Sequence, residues 1–98
     1  MVPEFERYRN VLRAELPRLR TEFGVASLAL FGSVVRCEQR AESDLDILVE
    51  FCVTPGLIGY LELENHLTDL LGRKVDLVLT GALKPRIRSR ILAERLPV

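Results

Sequence analysis

Two aspartates one residue apart, Asp44 and Asp46, stand at the mouth of an apolar run in the stretch LFGSVVRCEQRAESDLDILVEF. Ten residues before them, the pair Gly32-Ser33 closes another apolar run, and a further acid, Asp76, interrupts the later stretch KVDLVLT. Grouped carboxylates are unstable neighbours: two unit charges ~4 Å apart repel by about 4 kcal/mol at an effective dielectric of ~20. Such a group either shifts its own pKa values or takes up a cation. Ligation by carboxylate oxygens suits a hard ion, above all magnesium, with water and substrate phosphate oxygens completing its shell. The Gly-Ser pair suits the other half of such a site. Glycine admits close approach of the backbone, and backbone N–H groups with the Ser33 hydroxyl can hold phosphate oxygens. A metal-bound nucleoside triphosphate fits both halves.

Each residue also has a plainer reading. Asp44 and Asp46 alone would suit solvated acids at a strand edge or turn; Asp76 and the Gly-Ser pair together favour a site. Ser33 as a nucleophile would need a base, and no motif places His66, the chain's one histidine, beside it. His66 stands among Leu63, Leu67 and Leu70 and reads as a solvated or core-edge side chain. Arg36 either contacts phosphate or pairs with Glu38 or Glu42.

The elements that must position these residues follow from hydrophobic period. Phe5, Tyr8, Leu12, Leu16, Leu19 and Phe23 recur every three or four residues, which predicts a helix over about 4–22, closed by Gly24 and kinked at Pro17. VASLALF (Val25 to Phe31) is a buried strand. From Asp44 onward, Leu45, Ile47, Val49 and Phe51 fall on one strand face while Asp44 and Asp46 fall on the other. After Pro55-Gly56, Leu63, Leu67, Leu70 and Leu71 mark a second helix, stopped by Gly72. Lys74 to Thr80 is a third strand with Asp76 off its apolar face. Leu83, Ile87, Ile91 and Leu92 give a last helix, with Pro85 in its first turn.

Topology then brings the acids together. If the first two strands pair antiparallel, Gly32-Ser33 at the end of one lies beside Asp44 and Asp46 at the start of the next. The intervening helix makes a crossover that returns the third strand parallel, so Asp76 lies level with the pair. The expected fold is α/β (α+β), a small mixed sheet of about three strands flanked by helices, in one domain spanning residues 1–98.

Composition narrows the function classes. No apolar run reaches the ~20 residues of a membrane span and the N-terminus lacks a signal-peptide block, so a cytoplasmic protein is expected. Cys37 and Cys52 have no metal-ligand spacing and read as reduced thiols. A formal net charge of zero argues against a protein held on nucleic acid by bulk electrostatics. The arginines of the first helix (Arg7, Arg9, Arg13, Arg18, Arg20) and the last (Arg86, Arg88, Arg90, Arg95) are solvated faces or contacts to an acidic partner or an RNA backbone. The leucine-rich second helix is mostly core, though so small a sheet protein leaves apolar surface for a partner chain, a second copy included.

Gly32-Ser33, ten residues, Asp44-x-Asp46 and Asp76 on a later strand together resemble the DNA polymerase beta-type nucleotidyltransferase superfamily. The small size and the segment PGLIGYLELENHLTDLLGRKVDLVLTGALKPRIRSRIL are similar to its minimal nucleotidyltransferases, the MntA-type antitoxins paired with HEPN toxins. The resemblance covers roughly residues 5–96. It implies a mixed sheet with flanking helices and two magnesium ions, with ATP as substrate. Asp44 and Asp46 would bind both ions, Asp76 would complete one metal site and help activate the attacking hydroxyl, and Gly32, Ser33 and Arg36 would hold the triphosphate. The implied reaction moves AMP from ATP to a hydroxyl, a tyrosine of a cognate HEPN toxin in a type VII-like toxin–antitoxin pair. A non-catalytic, nucleotide-binding antitoxin acting by contact and a small-molecule nucleotidyltransferase are the competing classes, the latter weakened by the lack of an extra domain to build an acceptor pocket. One departure is visible: the family often reads Gly-Ser-x-Ala-Arg-Gly, and GSVVRC has Val35 and Cys37 in place of the alanine and second glycine.

Overall fold

The computed structural model describes residues 4–36 and 44–98. Its first helix, α1 (Glu4–Phe23), buries Tyr8, Leu12 and Leu19 along one stripe, with Phe5, Leu16 and Phe23 at its margins. Glu4 and Glu6 occupy the first turn, where the helix dipole favours negative charge. The helix is continuous across Pro17 and ends at Gly24, whose φ of +71° reverses the chain. Strand β1 (Val25–Leu30) follows at once and pairs antiparallel with β2 (Leu45–Phe51), Leu30 opposite Ile47. Helix α2 (Leu57–Leu71) crosses over to β3 (Val75–Leu79), which pairs parallel with β2, and α3 (Pro85–Glu94) comes last, with Pro85 at its first position.

The sheet has four strands, not about three. β4 (Leu96–Pro97) pairs antiparallel with β1, giving the order β3-β2-β1-β4. Two residues are too few to carry a period of two, so no sequence pattern announces this strand. It is held from outside itself: Val98 N–H donates to Leu28 O at 3.0 Å, and Arg9 Nε donates to Pro97 O at 2.9 Å. A proline is tolerated there because β4 lies at the sheet edge.

The two sheet faces have different tasks. Val25, Leu28, Leu30, Leu45, Ile47, Val49, Val75 and Leu77 meet Leu12, Leu19, Leu63 and Leu67 of α1 and α2 in the main core. Each such fully buried side chain contributes on the order of 1.5–3 kcal/mol against exposure. The opposite face carries Ala29, Phe31 and Leu48 in a smaller cluster, capped by Leu83 and by Ile91 and Leu92 of α3. Odd-numbered residues of β2 therefore enter the main core, and Asp46, Leu48 and Glu50 look the other way. Among the described residues, no helix is long and apolar enough to cross a membrane, and Cys52 is an exposed free thiol.

Candidate active site

The ladder between β2 and β3 sets Asp46 directly opposite Asp76. Neighbouring strands lie ~4.8 Å apart, so two side chains paired in register on one face are close neighbours. Asp44 precedes β2 by one residue, within electrostatic reach of Asp46. Asp44 and Asp76 are exposed, and Asp46 is partly buried between them. Burial pushes the Asp46 carboxyl up to about 6; the charges of Asp76 and then Asp44 push it the same way, Arg36 opposes them, and Glu94 adds a little more.

On the other side of β2, Phe31 N–H donates to Asp46 O at 3.2 Å, which docks the end of β1 on the start of β2. The chain then turns into a single 3₁₀ turn, Gly32–Val34, with Val35 N–H and Arg36 N–H both donating to Gly32 O. Gly32 has φ +76°, and a Cβ there would lie 2.2 Å from Asp46 Oδ2 and 3.3 Å from Asp46 Cβ. Backbone conformation and the closeness of the carboxylate both demand glycine at this point. Gly32→Ala is accordingly expected to cost about 1–2 kcal/mol of stability from the left-handed φ alone. By forcing Asp46 aside it should also weaken magnesium-ATP binding about tenfold, or ~1.4 kcal/mol. Thermal melts and calorimetry on one preparation measure both effects.

Val34 is buried, and Val35, partly buried, packs against the main core. Cys37, and the pairing of Arg36 with Glu38 or Glu42, lie outside the described residues. Arg36 does have a long-range partner: its Nη1 lies 2.7 Å from Glu94 Oε1. That same oxygen accepts the Gly32 N–H at 3.0 Å. Glu94 was not legible as a site residue. The one signal was its position as the last residue of α3, where a helix dipole disfavours an acid.

A second set of side chains missed in the sequence positions Asp76. β3 is an edge strand, and α2 covers its outer edge with polar groups at successive turns. Thr68 Oγ1 accepts the Val75 N–H at 3.1 Å, Glu64 Oε2 accepts the Leu77 N–H at 3.1 Å, and the Tyr60 hydroxyl donates to Leu77 O. The bonds bracket Asp76, fixing the strand on both sides of it. Positions 60, 64 and 68 share one helix face, so the i, i+4, i+8 spacing of Tyr, Glu and Thr in a leucine-rich helix was the available signal. His66 takes no part: it lies against Phe23 and 3.7 Å from Glu15, between α2 and α1.

The three aspartates share a face, but no group of three His, Cys, Asp or Glu among the described residues is gathered closely enough to cage a metal. The donor set still fits magnesium. It offers oxygen alone, magnesium requires only one or two carboxylates beside water and phosphate, and a cation would relieve the repulsion that raises the Asp46 carboxyl.

The chain matches the nucleotidyltransferase domain family over residues 12–98. It is 49% identical over 84 residues to the candidate protein adenylyltransferase MJ0128 of Methanocaldococcus jannaschii, covering 85% of this chain and 86% of that protein. It is 44% identical over 89 residues to protein adenylyltransferase MntA of Thermococcus cleftensis, covering 91% and 90%. Among solved structures, a candidate minimal nucleotidyltransferase at 38% identity superposes with a TM-score of 0.78 over 100% of this chain and 97% of that one. A toxin–antitoxin crystal structure with AMP-PNP does so at 25% identity, with a TM-score of 0.67 over 98% and 72%.

Proposed function

The chain belongs to the nucleotidyltransferase domain family, and from that premise we propose that it transfers AMP from magnesium-ATP to a protein hydroxyl, a tyrosine of a HEPN-domain toxin, releasing pyrophosphate. The observation that carries this reading is the in-register pair Asp46 and Asp76 beside a turn whose glycine backbone touches the Asp46 carboxylate. The names of the two relatives, both protein adenylyltransferases, support AMP as the transferred group and protein as the acceptor. The toxin–antitoxin structure with AMP-PNP supports the partner class and the nucleotide.

In this reading Asp44 and Asp46 would hold two magnesium ions, Asp76 would complete one metal site, and Gly32, Ser33 and Arg36 would receive the triphosphate oxygens. Magnesium bound there would neutralise charge on the pyrophosphate leaving group and ease formation of the attacking oxyanion. Asp76, exposed near the start of β3, would take the proton of the incoming hydroxyl. Ser33 and the backbone of the turn orient the phosphates in line with that hydroxyl. Residues 1–98 act as one domain, in the cytoplasm, where ATP and the toxin meet. The test is label transfer from alpha-labelled ATP to a purified HEPN-domain protein. Label on a tyrosine is the expected result, and none under saturating magnesium-ATP would overturn the reading.

One observation favours neutralisation by contact instead. Val53, Leu57 and Ile58 are each more than 70% exposed, and Leu61 joins them at the start of α2. An apolar group of this kind suits a protein partner. Contact and catalysis separate in cells: a chain lacking the Asp44 and Asp46 carboxylates protects against the toxin if contact suffices and fails if transfer is required.

A further inference from the structure

We propose that Glu94 is a built-in occupant of the triphosphate site, a side chain that the nucleotide must displace before it can react. The inference rests on the assignment of Gly32, Ser33 and Arg36 to the triphosphate. One carboxylate oxygen, Glu94 Oε1, takes both the Gly32 N–H at 3.0 Å and the Arg36 guanidinium at 2.7 Å. The Gly32 N–H has a single hydrogen, and it is already directed at the carboxylate oxygen where a phosphate oxygen would have to stand. A carboxylate and a triphosphate also repel one another, so the two occupants exclude each other.

Several features show that this contact is held on purpose by the local structure. Glu94 ends α3, where the helix dipole works against an acid, so its place must be supported by the groups it meets. Its side chain is only 20% exposed, which strengthens a charge-assisted bond relative to a solvated pair. The backbone on either side is anchored: Arg95 N–H closes the helix on Ile91 O, and Leu96 and Pro97 pair with β1. Rotation of the Glu94 side chain is therefore enough to vacate the site while α3 stays in place. The effect on binding follows from occupancy. If Glu94 holds the site nine-tenths of the time, the apparent nucleotide affinity falls about tenfold. The nucleotide-free protein then keeps the Gly32 N–H and the Arg36 guanidinium partnered, and a nucleotide gains the site by displacing Glu94.

The experiment compares the full chain with Glu94→Ala and Glu94→Gln by calorimetry, using magnesium-ATP, magnesium tripolyphosphate and adenosine as probes. Glu94→Ala should tighten ATP and tripolyphosphate alike by about tenfold and leave adenosine unchanged. Glu94→Gln should give a smaller gain, since its amide oxygen still accepts but has lost its charge, and it decides the matter if the alanine variant does not fold. Exchange of the Gly32 amide hydrogen should quicken in Glu94→Ala. Equal or weaker binding by both variants, with the parent binding normally, would overturn the proposal and identify Glu94 as a permanent brace for the loop. Failure of parent and variants alike to bind either phosphate probe would overturn the nucleotide site itself, and this inference with it.

Discussion

Asp46→Asn is expected to abolish AMP transfer while making the protein more stable. The first effect is the larger. In the proposed site Asp46 is the innermost of three acids, and its oxygen is the one that meets the Gly32 backbone. Exchanging the carboxylate for a neutral amide removes a magnesium ligand and loosens the triphosphate at once. A loss of about 4 kcal/mol in transition-state stabilisation, about 1000-fold in rate, is the scale expected for a residue that helps hold the catalytic metal. Label transfer from alpha-labelled ATP measures it, and transfer within tenfold of the parent would remove Asp46 from the site.

The gain in stability comes from the same geometry. The Asp46 carboxyl stands at about 6 in the folded protein, against an ordinary value of 3.8, because burial and then the charges of Asp76 and Asp44 oppose its ionisation. A carboxyl raised on folding binds its proton more tightly in the native state. Its stabilising contribution is present below pH 3.8 and is lost as pH rises through about 6, so the native protein carries an uncompensated anion at neutral pH. Discounted for its partial exposure, relief of that charge should contribute about 1–2 kcal/mol. In a domain of this size that raises the melting temperature by about 5 °C or more at pH 7.5. The difference from the parent should shrink as the pH is lowered from 7 toward 4. A variant equally or less stable at pH 7.5 would show that the three acids do not strain the fold. Loss of activity with gain of stability marks a residue kept for chemistry.

The alternation of β2 explains why the acidic row is legible in the sequence alone. A strand has a period of two, so once Leu45, Ile47 and Val49 are assigned to a core, Asp44 and Asp46 must share the other face. A helix between two strands then brings Asp76 level with them, and the register pairs Asp46 with Asp76. Local pattern and one topological rule suffice for this much. What escaped depends on contacts between segments distant in sequence. The sequence suggests phosphate binding as the reason for Gly32, yet the nearest thing a side chain there would strike is Asp46. Arg36 reaches Glu94, 58 positions on, a partner that no local pattern offers. No spacing rule connects those residues, because their meeting is decided by how α3 settles on the sheet. β4 was missed for a related reason: its two residues are held by β1 and Arg9, not by any pattern of their own.

Asp76→Asn is expected to separate binding from chemistry. Asp76 reaches the site from a different strand than Asp44 and Asp46, and it is exposed where Asp46 is partly buried. Its removal leaves Asp44 and Asp46 to hold the metal that accompanies the triphosphate, and leaves Gly32, Ser33 and Arg36 untouched. Magnesium-ATP should therefore bind nearly as well as to the parent. The strand should not move either, because Val75 and Leu77 on both sides of Asp76 stay fastened to Thr68, Glu64 and Tyr60. What is lost is a ligand beside the acceptor and the group that takes the acceptor's proton. Transfer should slow by at least ~100-fold, the scale of losing general-base help. Raising the pH, which ionises a tyrosine acceptor without assistance, should recover part of the rate in the variant and little in the parent. Calorimetry for nucleotide affinity and label transfer over pH 7–10 test the division of roles. Unchanged transfer would exclude Asp76 from the reaction. Lost ATP binding would instead assign Asp76 to the same metal as Asp44 and Asp46, leaving the proton of the attacking hydroxyl to another group.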